Sequence, residues 1–171
     1  RGGCSPRPRS SAARRVRRTY AALAWGHAFG KPSKSGWKER RDLYPHGVAS
    51  GDPDHNSVLL WTRRPYDDGR KDALLLVEVA EDPDFKRVIA TTAAKVSADS
   101  DWTTRVLVGH VEPAREYWYR FVDEEGNGSR IGRTLTAPKP DDASPAKFAF
   151  VSCQCQPEGY GNGYRRMIHE D

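Results

Sequence analysis

Val111-Glu112-Pro113-Ala114-Arg115-Glu116-Tyr117-Trp118-Tyr119 is the stretch on which the fold turns. An apolar residue and a proline precede an aromatic run that continues through Arg120-Phe121-Val122. That is the composition of a β-strand entered from a turn. Five further runs surround it. Val58-Leu59-Leu60-Trp61-Thr62 follows the turn-rich Ser50-Gly51-Asp52-Pro53-Asp54. Residues 74–80 (Leu-Leu-Leu-Val-Glu-Val-Ala) are closed by Glu81-Asp82-Pro83, and residues 88–93 form the next run. Residues 103–111 alternate, with Arg105, Leu107 and Gly109 on one face and Val106, Val108 and His110 nearer the other. Residues 130–136 follow the turn Glu125-Gly126-Asn127-Gly128. Strands this short, punctuated by Gly, Pro and Asp with no long amphipathic helix between them, predict an antiparallel β-sandwich over residues 43–137.

The quoted stretch also resembles fibronectin type III domains, in which an apolar residue and Pro precede a Tyr-x-Tyr strand. The resemblance implies that the first or second tyrosine anchors the corner between the sheets through its hydroxyl. The fold class expected is therefore mainly β, an immunoglobulin- or fibronectin type III-like sandwich. The span is large enough to bury its own core.

Charge divides the chain of 171 residues. Residues 1–42 hold 12 Lys/Arg against Glu39 and Asp42, a net +10. Residues 43–171 hold 16 Lys/Arg against 21 Asp/Glu, a net −5. Residues 1–42 show no useful periodicity, so a basic disordered arm or degenerate export signal is expected there. Arg14-Arg15 and Arg17-Arg18 precede a mildly apolar segment, as in twin-arginine leaders. That segment is short, broken by Gly26 and His27, and lacks a small-x-small cleavage site. So basic an arm would attract phosphates. Its aromatics sit in no nucleic-acid-binding motif, and no specific nucleic-acid partner is expected.

No apolar run reaches the roughly 20 residues of a membrane span. Three cysteines, Cys4, Cys153 and Cys155, exclude a disulfide-rich scaffold and are too few for a structural zinc site. Several sandwich residues are better explained by structure than by function. Asn127-Gly128-Ser129 satisfies a glycosylation sequon but reads as turn chemistry. His46, His55 and His110 lack metal-like spacing, and the acidic groups Asp82, Asp84 and Asp99, Asp101 lack the Gly and distal Glu of a calcium loop. Trp61 and Trp118 lie within strands and are expected in the core.

Residues 138–146 contain three prolines and no large apolar side chain, the composition of a linker. Lys147-Phe148-Ala149-Phe150-Val151-Ser152 then reads as a buried strand beginning a new domain over 147–171. It runs into Cys153-Gln154-Cys155-Gln156, a loop with Gly159, Gly161 and Gly163, and a helix from Tyr164 to the end. A strand, a polar loop and a helix in that order build the first β-α unit of many α/β sites. A thiolate there could bind a metal or attack a substrate, and an incidental buried cysteine explains it equally well. Both ends of the chain look cut, so a piece of a longer parent is expected.

Tyr44-Pro45-His46-Gly47-Val48-Ala49-Ser50-Gly51-Asp52-Pro53, with Val58-Leu59-Leu60-Trp61-Thr62-Arg63 after it, resembles the opening of the alkaline phosphatase D family. That family includes enzymes described as phosphodiesterases and as secreted phospholipase D. Phe148-Ala149-Phe150-Val151-Ser152-Cys153-Gln154, followed by Tyr164-Arg165, resembles the start of its metallophosphatase domain. The resemblance implies an exported, secreted or periplasmic monomer that hydrolyses phosphate mono- and diesters with Fe³⁺ and Ca²⁺. It implies a sandwich followed by an α/β metallophosphatase domain, of which this chain carries the truncated first β-α unit. By position it makes Cys153 the cysteine that ligates iron, while Cys155 departs from the family pattern, which has a polar residue there more often. The family's other ligands lie further along its pattern, so no catalytic residue is expected here and the fragment should be inactive and metal-free. The alternative is a non-enzymatic fibronectin-like module for adhesion or carbohydrate binding.

Overall fold

The computed structural model describes residues 22–26, 29–145, 147–152 and 161–170. Ten strands follow in chain order: β1 (Ala22–Trp25), β2 (Lys38–Glu39), β3 (Val48–Asp54), β4 (Ser57–Arg63), β5 (Asp72–Ala80), β6 (Val88–Ser97), β7 (Thr103–Gly109), β8 (Glu116–Val122), β9 (Asn127–Gly128) and β10 (Gly132–Leu135). They form two sheets, one ordered β1-β7-β4-β3 and the other β2-β9-β8-β5-β6, with β10 also pairing β8. The compact unit they build extends to Pro140.

Alternation decides which side of each strand faces the core. On β4, Val58, Leu60 and Thr62 are buried, and the register sets them opposite Val108, Val106 and Thr104 of β7. From the other sheet, Leu75, Val77 and Val79 of β5 meet the same core, with Phe121 and Tyr119 of β8 opposite Val77 and Val79. Each such side chain contributes about 1.5–3 kcal/mol on burial. Tyr117 closes the corner as the quoted stretch implies, its hydroxyl accepting the Glu112 N–H at 2.9 Å.

The structure corrects the sequence reading at four places. Residues 22–26 and 29–42 are not a disordered arm. Strand β1 pairs parallel with β7, Ala24 joins the core, Lys31 bridges Val88, and β2 pairs with β9. Short strands that add to existing sheet edges need no periodicity of their own, which is why composition concealed them. Second, the segment around Gly51 and Pro53 is strand rather than turn. It forms the edge strand β3 with a register shift between Gly51 and Asp54, and a proline is tolerated at an edge or bulge. Third, Trp61 and Trp118 are half-buried on outward faces, because each falls between the inward positions of its strand. The buried tryptophan is Trp102, 9% exposed in the turn before β7.

The fourth correction concerns the unit from Asp141 onward. Residues 147–152 form no strand, and Phe148 and Phe150 are 90% and 93% exposed. A strand buried on both faces requires a neighbour on each edge, and the described residues of this unit contain no strand. Helix α1 (Asn162–Glu170) does form, with an Arg166–Glu170 ion pair one turn apart and no buried residue. Cys4, Cys153, Cys155 and the Arg14-Arg15 and Arg17-Arg18 pairs lie outside the described residues.

Burial raises the pKa of the core phenols and so suppresses their ionisation. Tyr119 is pushed up to about 12, against the partial relief of a hydrogen bond with Ser50, and Tyr44, Tyr66 and Tyr117 also rise, burial being the largest cause for each. The folded state thus holds these protons more tightly than the unfolded chain, whose tyrosines titrate near 10. Their contribution is complete below about pH 10 and is lost as pH climbs through about 12. In a tyrosinate absorbance titration, the last phase, near 12, should coincide with loss of β circular dichroism. Full ionisation near 10 with the fold intact would contradict the burial described.

Candidate functional site

Two charged pairs are buried in the sandwich. The first joins Glu78 of β5 to Arg120 of β8, facing residues in the register and 3% and 6% exposed. Arg120 donates Nε–H to Glu78 Oε2 at 2.9 Å, and its Nη2 lies 2.7 Å from the same oxygen. The second glutamate oxygen accepts the Ser33 and Ser35 hydroxyls at 2.6 and 3.2 Å. Arg120 also donates to Ser33 Oγ at 2.9 Å and stacks on Phe85, 4.0 Å from the ring centroid. Both residues point away from the core, on the outer face of the sheet, and they are buried because residues 29–37 pass over them.

The second pair sits at one end of the sandwich. Arg64 donates Nη2–H to Asp123 Oδ2 at 2.9 Å, both side chains being buried. The Asp123 carboxylate also accepts the backbone N–H of Glu125 and of Asn127, at 3.0 and 2.9 Å. The Arg64 guanidinium lies 4.1 Å from the Tyr66 ring centroid. Tyr44 donates its hydroxyl to the Asn127 carbonyl at 3.1 Å. Burial, then the Asp123 charge, raises the Tyr44 phenol far above its ordinary value. This pair organises the β8–β9 turn and explains the sequon. The Asn127 amide donates to Asp123 and Glu125, and Ser129 is fully buried.

The acidic groups read as turns behave as such. Asp82 pays a burial cost, but the N–H groups of Lys86, Arg87 and Asp84 outweigh it and hold its carboxyl below the usual range. Asp101 pairs with Arg63 at 2.8 Å. His55 contacts Asp54, and His110 stacks on Trp25 with centroids 4.4 Å apart. Among the described residues no group of three or more His, Cys, Asp or Glu converges as a bound cation requires. These residues therefore do not fit the iron and calcium ions implied by the resemblance. Cys153, the ligand implied by position, lies outside the described residues.

Two concavities accompany the pairs. One, about 750 Å³, lies between residues 29–35 and the outer face of β5 and β6. The other, about 390 Å³, is lined by His46, Tyr119, Arg130 and Arg133 among others. In the first, the Ser33 and Ser35 hydroxyls donate to a Glu78 carboxylate that Arg120 also holds; Ser50 joins His46 in the lining of the second. No described helix is long and apolar enough to cross a membrane.

Both buried pairs escaped the sequence reading, although one signal was present. Glu78 interrupts Leu-Leu-Leu-Val-Glu-Val-Ala, and Arg120 interrupts Tyr-Trp-Tyr-Arg-Phe-Val. Opposite charges set in two otherwise apolar strands suit a cross-strand pair.

The geometry defines a two-sheet, mainly antiparallel sandwich with a tyrosine corner. Residues 30–138 match the family described as PhoD-like phosphatase, N-terminal domain. The chain is 35% identical over 132 residues to alkaline phosphatase D of Bacillus subtilis (strain 168), a match covering 72% of this chain and 22% of that protein. A solved structure of PhoD superposes with a TM-score of 0.70 at 33% identity, over 75% of this chain and 26% of that one. A fibronectin type III domain derived from the human KIAA0970 protein gives a TM-score of 0.46 at 14% identity, over 63% of this chain and 84% of that one. The chain belongs to the PhoD-like phosphatase N-terminal domain family. It spans about a fifth of the length of the curated relative it matches.

Removing one partner of a buried pair strands a charge and costs about 3–5 kcal/mol, whereas an apolar replacement of both is far milder. Glu78→Leu and Arg120→Met should each lower the urea midpoint sharply, and the double substitution should recover most of the loss. Additive losses would show that the two charges are not coupled.

Proposed function

We propose that this chain is the N-terminal sandwich region of a phosphate mono- and diester hydrolase resembling alkaline phosphatase D. The observation that carries the reading is the 35% identity over 132 residues to that enzyme of Bacillus subtilis, together with the family match across residues 30–138. In this reading residues 138–146 are a linker, and residues 147–171 are the first β-α unit of the metallophosphatase domain. The apolar segment 147–152 then becomes a strand only when the rest of that domain supplies its neighbours, which suits the exposure of Phe148 and Phe150.

Cys153 is the residue we assign to the metal centre, as an iron ligand, with calcium as the second ion. Such ions supply charge stabilisation at phosphoryl oxygens and an activated hydroxide. The described residues bring together no such site, and in this reading residues 1–171 alone are inactive because the family's other ligands are not among them. Their role is structural, and the whole enzyme acts on its ester after export, as a monomer. A stand-alone adhesion or carbohydrate-binding module would share the sandwich but has no use for the Phe-Ala-Phe-Val-Ser-Cys-Gln stretch.

The test is hydrolysis of p-nitrophenyl phosphate and bis-p-nitrophenyl phosphate with Fe³⁺ and Ca²⁺ supplied, with iron analysis of the same samples. Residues 1–171 should show no turnover and no stoichiometric iron. Turnover that disappears in Cys153→Ser would overturn the claim of inactivity. In a longer enzyme carrying this sequence, Cys153→Ser should remove iron and most activity; an unaffected enzyme would remove Cys153 from the site.

A further inference from the structure

We infer that residues 29–40 form a releasable strap, which opens from the outer face of β5 and β8 while the sandwich stays folded. The strap is held by polar contacts. Lys31 exchanges two backbone hydrogen bonds with Val88, at 3.0 and 2.8 Å, and Ser33 donates its N–H to Phe85 O at 2.9 Å. Lys38 and Arg40 donate to Gly126 and Gly128 carbonyls, both at 2.9 Å. Trp37 Nε1 donates to Ser129 O at 3.1 Å. Apolar anchoring is slight. None of residues 29–40 is buried, and Phe29 is 88% exposed. Segments with few buried apolar contacts and solvent-accessible hydrogen bonds open locally, far below the cost of global unfolding.

What lies beneath the strap sets this balance. A strap closing over an apolar face would be sealed by the hydrophobic effect. This one closes over Glu78 and Arg120, and taking an ion pair out of water carries a desolvation cost. The Ser33 and Ser35 hydroxyls offset that cost, because they satisfy the glutamate oxygen that Arg120 leaves unused. When the strap lifts, water replaces the hydroxyls and hydrates the pair. Opening thus leaves no uncompensated buried charge, and the core side chains of Leu75, Val77 and Phe121 keep their partners on the other face.

The strap also guards an edge. Strand β6 ends its sheet, and the Lys31–Val88 bridge caps it at one end. Unpaired edges invite pairing with other chains, and covering them is a common protection. An open strap frees Val88 and uncovers the wall of the 750 Å³ cleft formed by Leu76, Ile89 and Ala90.

Amide hydrogen exchange on the full chain, read by mass spectrometry in low urea, tests this. The amides of Ser33, Lys38 and Arg40 should exchange at least ~100-fold faster than those of β5 and β8, at a rate that low urea leaves unchanged. Ser33→Ala with Ser35→Ala should speed strap exchange by roughly tenfold and leave β5 and β8 unaltered. Trp37→Phe, which removes the Nε1 bond to Ser129 O and keeps an aromatic ring beside Arg120, should give the same pattern. Strap and core exchanging at one urea-dependent rate would overturn the inference, as would either variant accelerating both equally.

Discussion

The structure depends on one constraint, the two-residue repeat that turns Val58, Leu60, Leu75, Val77, Val79, Val106, Val108, Tyr117, Tyr119 and Phe121 toward a common interior. Because the repeat is two, a slip of one residue in β4, β5, β7 or β8 would exchange the whole inward row for the outward one. On β4 that exchange would bring Trp61 and Arg63 inward in place of Leu60 and Thr62, an arrangement the sandwich cannot pack. The same repeat explains the exceptions. Where Glu78 and Arg120 are buried although they point outward, something must cover the outer face, and residues 29–37 do so.

The legible part of the fold was the part governed by that repeat. Strands β4 to β8 and β10 fall where β-branched and aromatic runs stand between turn residues. Strands β1, β2 and β9 were not legible, because two to four residues added to an existing edge need no pattern of their own. Strand β3 was hidden by Gly51 and Pro53, residues that punctuate turns but are also admitted at a bulged edge. Trp61 and Trp118 show the limit of composition, since size suggested the core while phase put both outside it. The segment 147–152 fails for the opposite reason. Its apolar content suits a central strand, but neighbours decide whether a strand forms.

The candidate site divides in the same way. Cys153 was reached through resemblance alone, since one thiol at the end of a strand-like segment carries no geometric signature. The buried pairs Glu78–Arg120 and Arg64–Asp123 were written in the sequence as charges within apolar or turn-rich runs. Glu78 and Arg120 became readable as a pair only once the register placed them opposite each other, and Arg64 and Asp123 only once the fold brought the ends of β4 and β8 together. Their chemistry is structural: one seats the strap and the other seats the β8–β9 turn. The family relationship links this sandwich to a phosphatase, and none of the described side chains needs to act on an ester for that link to hold.

Residues 22–26 and 29–42, despite the charge of the region, are part of the sandwich. The most direct measurement is urea unfolding of residues 22–145 beside residues 43–145, followed by β circular dichroism. The account predicts that the shorter chain loses stability markedly, because Ala24 leaves the core and β7 loses its pairing with β1. Equal midpoints and equal slopes for the two chains would contradict it.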